Sequence, residues 1–188
     1  MGKILALSGF AETGKDEFFK ITKQIFPEKR IQRLSFADSL KKYLDPFLEQ
    51  ETGISAFTTD PEEKRIVRPY LVSIANYYRW KTDGRFWIDR WKEDKQRYYK
   101  DYDILFICDV RFINEVVFVK NEMRGTSIGI DLMVDGEPKK PANVSEASQT
   151  TTAKTMCDLK FVWEKTENLE TKISKVKEFF DAHSSKLL

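Results

Sequence analysis

The sequence predicts an α/β fold: a doubly wound, mainly parallel sheet with helices on both faces and one helical insertion. Three observations predict it. The apolar run Lys3-Ile4-Leu5-Ala6-Leu7-Ser8 passes directly into Gly9-Phe10-Ala11-Glu12-Thr13-Gly14-Lys15-Asp16, after which Phe18, Ile21 and Ile25 recur at helical spacing. Ile104-Leu105-Phe106-Ile107-Cys108 is an unbroken apolar run, the pattern of a strand buried on both faces of a parallel sheet. Segments of strand and helix character follow one another in the order β-α-β-α-(helical insert)-β-α-β-β-α.

The first strand, glycine loop and helix have the spacing G-x-x-x-x-G-K. This is a phosphate-binding loop, or P-loop, in the context such a loop requires. Its glycines let successive N–H groups turn inward, and the helix N-terminus adds its positive dipole end. Lys15 supplies a mobile charge for the outer phosphates. Residues 9–16 (Gly9, Phe10, Ala11, Glu12, Thr13, Gly14, Lys15 and Asp16) are therefore the expected ATP-binding segment.

Pro27 ends the first helix, Arg30–Phe36 reads as a second strand, and Ala37 to Leu44 opens a helix with Asp38 or Ser39 near its start. From Asp45-Pro46 to Asp60-Pro61 the pattern is irregular, with turn chemistry at both ends. Pro61-Glu62-Glu63 starts another helix. Residues 64–100 are helical in composition, broken at Asp83-Gly84, and rich in Arg, Lys, Tyr and Trp. The arginines there form either a solvated face over aromatics or a binding surface, and Trp87 and Trp91 share one helix face. Residues 45–100 are thus the helical insertion within a single domain spanning 1–188.

After the buried strand comes Asp109-Val110-Arg111, where ligands of open α/β sheets collect. Phe112–Met123 reads as an amphipathic helix, Thr126–Val134 as a half-buried alternating strand, and Asp135-Gly136 as a turn. A polar loop is expected to about Thr155, then a strand over Leu159–Trp163 and a final helix capped by Thr166 or Asn168.

Composition narrows the function. The chain has 188 residues and a formal net charge of +2, too balanced to argue for a polyanion partner. Two cysteines make no disulfide framework, and one histidine leaves neither a zinc site nor a Ser–His–Asp triad. Phosphoryl transfer needs none of these. No membrane segment or signal peptide is expected, so the expected location is the cytoplasm.

Four blocks resemble the bacteriophage deoxynucleoside monophosphate kinases, a branch of the P-loop kinases. They are the Gly-Lys-Asp end of the loop, Ser35-Phe36-Ala37-Asp38-Ser39-Leu40-Lys41, Asp109-Val110-Arg111-Phe112-Ile113-Asn114-Glu115 and Ser145-Glu146. The stretch from Arg68 to Trp87 is similar as well, although Ile74-Ala75-Asn76 replaces the family's Gly-Thr-Asp and neither Asp16 nor Glu17 supplies the usual hydroxyl. The resemblance implies a P-loop NTPase-type fold and an ATP- and Mg²⁺-dependent kinase that converts deoxynucleoside monophosphates to diphosphates, in a host cytoplasm if phage-encoded. It implies acceptor contacts from Asp38, Lys41, Arg68, Arg79, Trp87, Arg111 and Glu146, with 45–100 as the acceptor-binding subdomain. Lys15, Arg111, Arg79 and Asp109 are the expected catalytic set.

Some roles stay open on sequence alone. Trp87 either stacks on the acceptor base or fills a core. Asp109 either serves Mg²⁺ through water, orients an arginine, or caps nearby amides. Asp16 either starts a helix or faces Mg²⁺, directly or through water. A carboxylate beside ATP phosphates needs a cation between them, which favours the second. A phosphomevalonate-type kinase is the alternative, and a single-stranded nucleic-acid binder the rival from another class. Nucleic acid is not an expected partner, and a homodimer is left open.

Overall fold

The computed structural model describes residues 2–95, 100–141 and 144–188, with the side chains of all of these except Lys95, Ser145 and Glu146. The chain forms two compact units, Met1–Leu34 with Arg97–Leu188, and Ser35–Gln96.

The first unit is the sheet. β1 (Lys3–Ser8), β2 (Ile31–Leu34), β3 (Ile104–Val110), β4 (Thr126–Val134) and β6 (Leu159–Glu164) are parallel, in the order β2-β3-β1-β4-β6. A two-residue strand, β5 (Glu137–Pro138), folds back antiparallel on the end of β4. The central position of β1 and β3 explains their unbroken apolar sequences, since both faces of each strand are covered.

On one face, Leu5, Leu7, Phe106, Ile128 and Phe161 pack with Phe18 and Ile21 of α1 (Lys15–Ile25). Val176 and Phe180 of α7 (Leu169–Ala182) and Leu187 of α8 (Ser184–Leu187) complete this core. Phe18 is its hub, in edge or stacked contact with Phe106, Phe161, Trp163, Phe179 and Phe180. From the other face, α5 (Ile113–Asn121) and α6 (Val144–Thr155) pack on β1 and β4.

The second unit is helical: α2 (Ala37–Thr52), α3 (Pro61–Lys81) and α4 (Arg85–Lys95). Leu44, Leu48, Ala56 and Val67 form its core, and Trp87, Ile88 and Trp91 are also buried. Asp60 caps α3 by accepting from the N–H groups of Glu62 and Glu63, with Pro61 at the first position.

The structure corrects the sequence reading in two places. The irregular stretch expected from Asp45 is helical to Thr52, because burial of Leu44 and Leu48 carries α2 through Pro46. Asp45 instead fastens the turn after the helix, accepting from Ser55 Oγ and Ala56 N. Within the polar loop expected up to Thr155, residues 144–155 form α6. Ser and Thr are poor helix formers, so tertiary burial of Thr150 and Ala153 outweighs local propensity there. No helix among the described residues is long and apolar enough to cross a membrane.

Candidate functional site

β1 delivers the glycine loop at the carboxyl edge of the sheet, and β6 holds it through Trp163. The Trp163 indole N–H donates to Thr13 O at 2.8 Å, and the Thr13 hydroxyl donates to Phe10 O at 2.9 Å. Gly14 has φ +83° and sits so close to the indole that a Cβ would stand 2.7 Å from Trp163 Nε1. A side chain is excluded there on both counts. At Gly9 a Cβ would meet Ile130 O at 2.6 Å. The Lys15 ammonium reaches back along the loop, donating to Gly9 O at 2.8 Å and Phe10 O at 2.6 Å. Glu12, also at positive φ, pairs with Lys139 of the segment after β5, which holds its carboxyl below the ordinary value.

Parallel pairing sets β3 beside β1, with Ser8 opposite Val110, so Asp109 and Arg111 lie at the same sheet edge as the loop. The turn into α5 is fixed by the buried Glu115, whose carboxylate accepts from the N–H groups of Arg111 and Phe112. That explains why the block ends in an acid: it organises the backbone that carries Arg111.

Asp16, in the first turn of α1, pairs with Arg33 of β2 at 3.1 Å. Burial works against the Arg33 charge, but Cys108, Asp16 and Asp109 together raise its pKa. Burial pushes the neighbouring Cys108 thiol up to about 12, so it is uncharged at neutral pH. The cation that the loop's carboxylate requires is thus supplied here by Arg33, a residue that sequence reasoning does not single out. An arginine at a strand end carries no further signal of such a role.

Among the described residues no three His, Cys, Asp or Glu side chains form a metal cage. Mg²⁺ ordinarily takes one or two carboxylates plus substrate phosphates. Asp16 opens the helix after the loop and Asp109 ends the neighbouring strand, so these two carboxylate-bearing positions both lie at this sheet edge.

Beside the loop lies a cavity of about 660 Å³, lined by Gly14, Glu17, Leu132, Pro138, Trp163 and several lysines, among them Lys165 and Lys172. Lys172 pairs with Glu17 at 3.0 Å and lies over the Trp163 ring. No local sequence pattern marks this cavity, because its walls come from four separate segments.

The other expected site residues belong to the second unit. Asp38 and Lys41 lie in the first turns of α2, the Lys41 ammonium 5.5 Å from the Phe57 ring centre. Arg68 is exposed on α3, and Arg79 is half-buried near its end. Trp87 resolves to the core alternative: it is 4% exposed, its indole N–H donates to Ala75 O, and Tyr43, Tyr78 and Phe86 pack edge-on against it. Burial on this scale excludes a stacking role on the acceptor base. This unit also has an apolar groove of about 590 Å³ lined by Tyr43, Phe47, Tyr70, Ser73 and Ile74, among others. The Glu146 side chain lies outside the described residues.

Solved structures share this architecture. The chain is similar to a dephospho-CoA kinase from Campylobacter jejuni, at 12% identity and TM-score 0.50 over 98% of each chain. It is similar to a shikimate kinase from Bacteroides thetaiotaomicron, at 9% identity and TM-score 0.50 over 97% of this chain and 98% of that one. TT1252 from Thermus thermophilus matches at 11% identity and TM-score 0.54 over 97% of each chain. The fold is that of the P-loop kinases. At these identities the likeness is one of fold. No protein-family model matches the chain, and no curated protein matches it.

Proposed function

We propose that the protein is an ATP-dependent deoxynucleoside monophosphate kinase. The observation that carries this is the pairing of a braced phosphate loop with Asp109 and Arg111 at the adjoining strand end. The loop N–H groups and Lys15 hold the ATP phosphates, and the cavity walled by Trp163 and Lys165 takes the nucleoside part. Asp16 and Asp109 are the residues that would hold Mg²⁺, which when bound neutralises charge on the phosphate oxygens.

An oxygen of the acceptor's phosphate attacks the γ-phosphorus, the bond to the β–γ bridging oxygen breaks, and ADP leaves with that electron pair. The nucleophile is already anionic, so no general base is required. The demand is for positive charge, because two polyanions must meet. Lys15 and Arg111 supply it from the sheet unit. Lys41, Arg68 and Arg79, with Asp38, are the acceptor contacts we assign to the second unit.

The test is a coupled ADP-release assay across the eight common deoxy- and ribonucleoside monophosphates, with phosphomevalonate as the competing acceptor. Turnover on deoxynucleotides supports the reading. Turnover on phosphomevalonate alone replaces it with the other kinase class.

A further inference from the structure

Arg33 deepens the kinase reading, and the role argued for it rests on that reading. The guanidinium is seated by a rigid ladder, since Arg33 pairs in register with Phe106 on β3. It reaches the Asp16 carboxylate through both Nε and a terminal nitrogen, each at 3.1 Å. Asp109 acts on the same guanidinium. Asp16, the loop's own carboxylate, is therefore already paired with an arginine. Side chains in the pair are 42% and 68% exposed, so the contact is weak and easily exchanged. A phosphate presents the planar fork with a stronger, bidentate partner than an exposed carboxylate does.

We propose that Arg33 is an exchangeable counter-ion: it holds Asp16 in the free protein and passes to a substrate phosphate when Mg²⁺ takes the carboxylate. The exchange keeps the site from ever facing the incoming polyanion with an unscreened acid.

The two halves of the exchange have opposite signs, which separates it from a structural role. Removing Arg33 takes away the competitor for Asp16 and also a phosphate contact. Titration calorimetry of ATP at graded MgCl₂ should therefore show two changes in Arg33→Gln. The Mg²⁺ concentration for half-maximal binding should fall roughly threefold. Affinity for ATP at saturating Mg²⁺ should fall about tenfold. Arg33→Lys, which keeps the charge without the fork, should leave the Mg²⁺ requirement near wild type and still bind ATP more weakly. In Asp16→Asn, adding Arg33→Gln should no longer shift the Mg²⁺ requirement.

An unchanged or raised Mg²⁺ requirement in Arg33→Gln, with ATP binding to the wild type intact, overturns this inference alone. Failure of the wild type to bind ATP overturns the phosphate-site reading and this one with it.

Discussion

The indole N–H of Trp163 donates to the carbonyl of Thr13 at 2.8 Å, so β6 braces the glycine loop. Trp163 is 1% exposed, and its ring also bars any side chain at Gly14. Trp163→Phe keeps most of the volume but leaves a buried carbonyl without its donor. We expect a loss of about 1–3 kcal/mol and a melting temperature lower by roughly 2–12 °C. Stabilisation by added ATP should shrink as well. Thermal unfolding with and without nucleotide checks both, and a variant indistinguishable from wild type in both would refute the bracing role.

Arg111 is carried by a backbone that Glu115 fixes through the N–H groups of Arg111 and Phe112. Arg111→Lys should lower kcat/KM by about tenfold or more, because Lys cannot reproduce a bidentate contact with phosphate. The melting temperature should hardly move. Unchanged kinetics with a lowered melting temperature would instead make Arg111 a structural residue. Glu115→Gln should act indirectly, weakening acceptor binding by loosening the turn.

Away from the site, Asp158 ties β4 to the start of β6. It accepts from Ser127 N and Ser127 Oγ and pairs with Lys120 at 2.9 Å. Burial alone would raise its carboxyl, but these donors outweigh that and hold it below the ordinary range. A lowered folded-state value means the contribution is complete above the unfolded pKa of about 4 and is lost as pH falls through the folded one. Asp158→Asn should therefore cost about 1–2 kcal/mol at pH 7. The gap to wild type should close as the pH drops below about 4. Urea melts at pH 7 and pH 3 measure it, and an equal gap at both would contradict the assignment.

The features legible in the sequence obey local rules. The glycine loop, the buried β3 and the Pro61 helix start are each written within a few residues, and each is where the pattern puts it. Helix α6 is hidden because its Ser and Thr content obeys turn statistics, and only burial of Thr150 and Ala153 against the sheet makes it helical. Arg33 and Trp163 are not legible as site residues. Their roles depend on parallel pairing that sets β2 beside β3 and β6 beside β4, contacts far apart in sequence. Trp87 is ambiguous for the opposite reason: an aromatic on an amphipathic helix reads the same whether it faces a base or a core.

Phosphoryl transfer from ATP to a deoxynucleoside monophosphate by way of Lys15 is the central claim. The most direct measurement follows the phosphorus resonances of ATP and each deoxynucleotide over time, for wild type and Lys15→Ala. The wild type should convert the acceptor's monophosphate signal to a diphosphate pair as the γ-signal of ATP disappears. Lys15→Ala should be slower by about 100-fold or more while melting like the wild type, since one lost charge-stabilising group costs a few kcal/mol in the transition state. A Lys15→Ala rate within about tenfold of wild type, or no transfer to any deoxynucleotide by a wild type that binds ATP, would contradict the account.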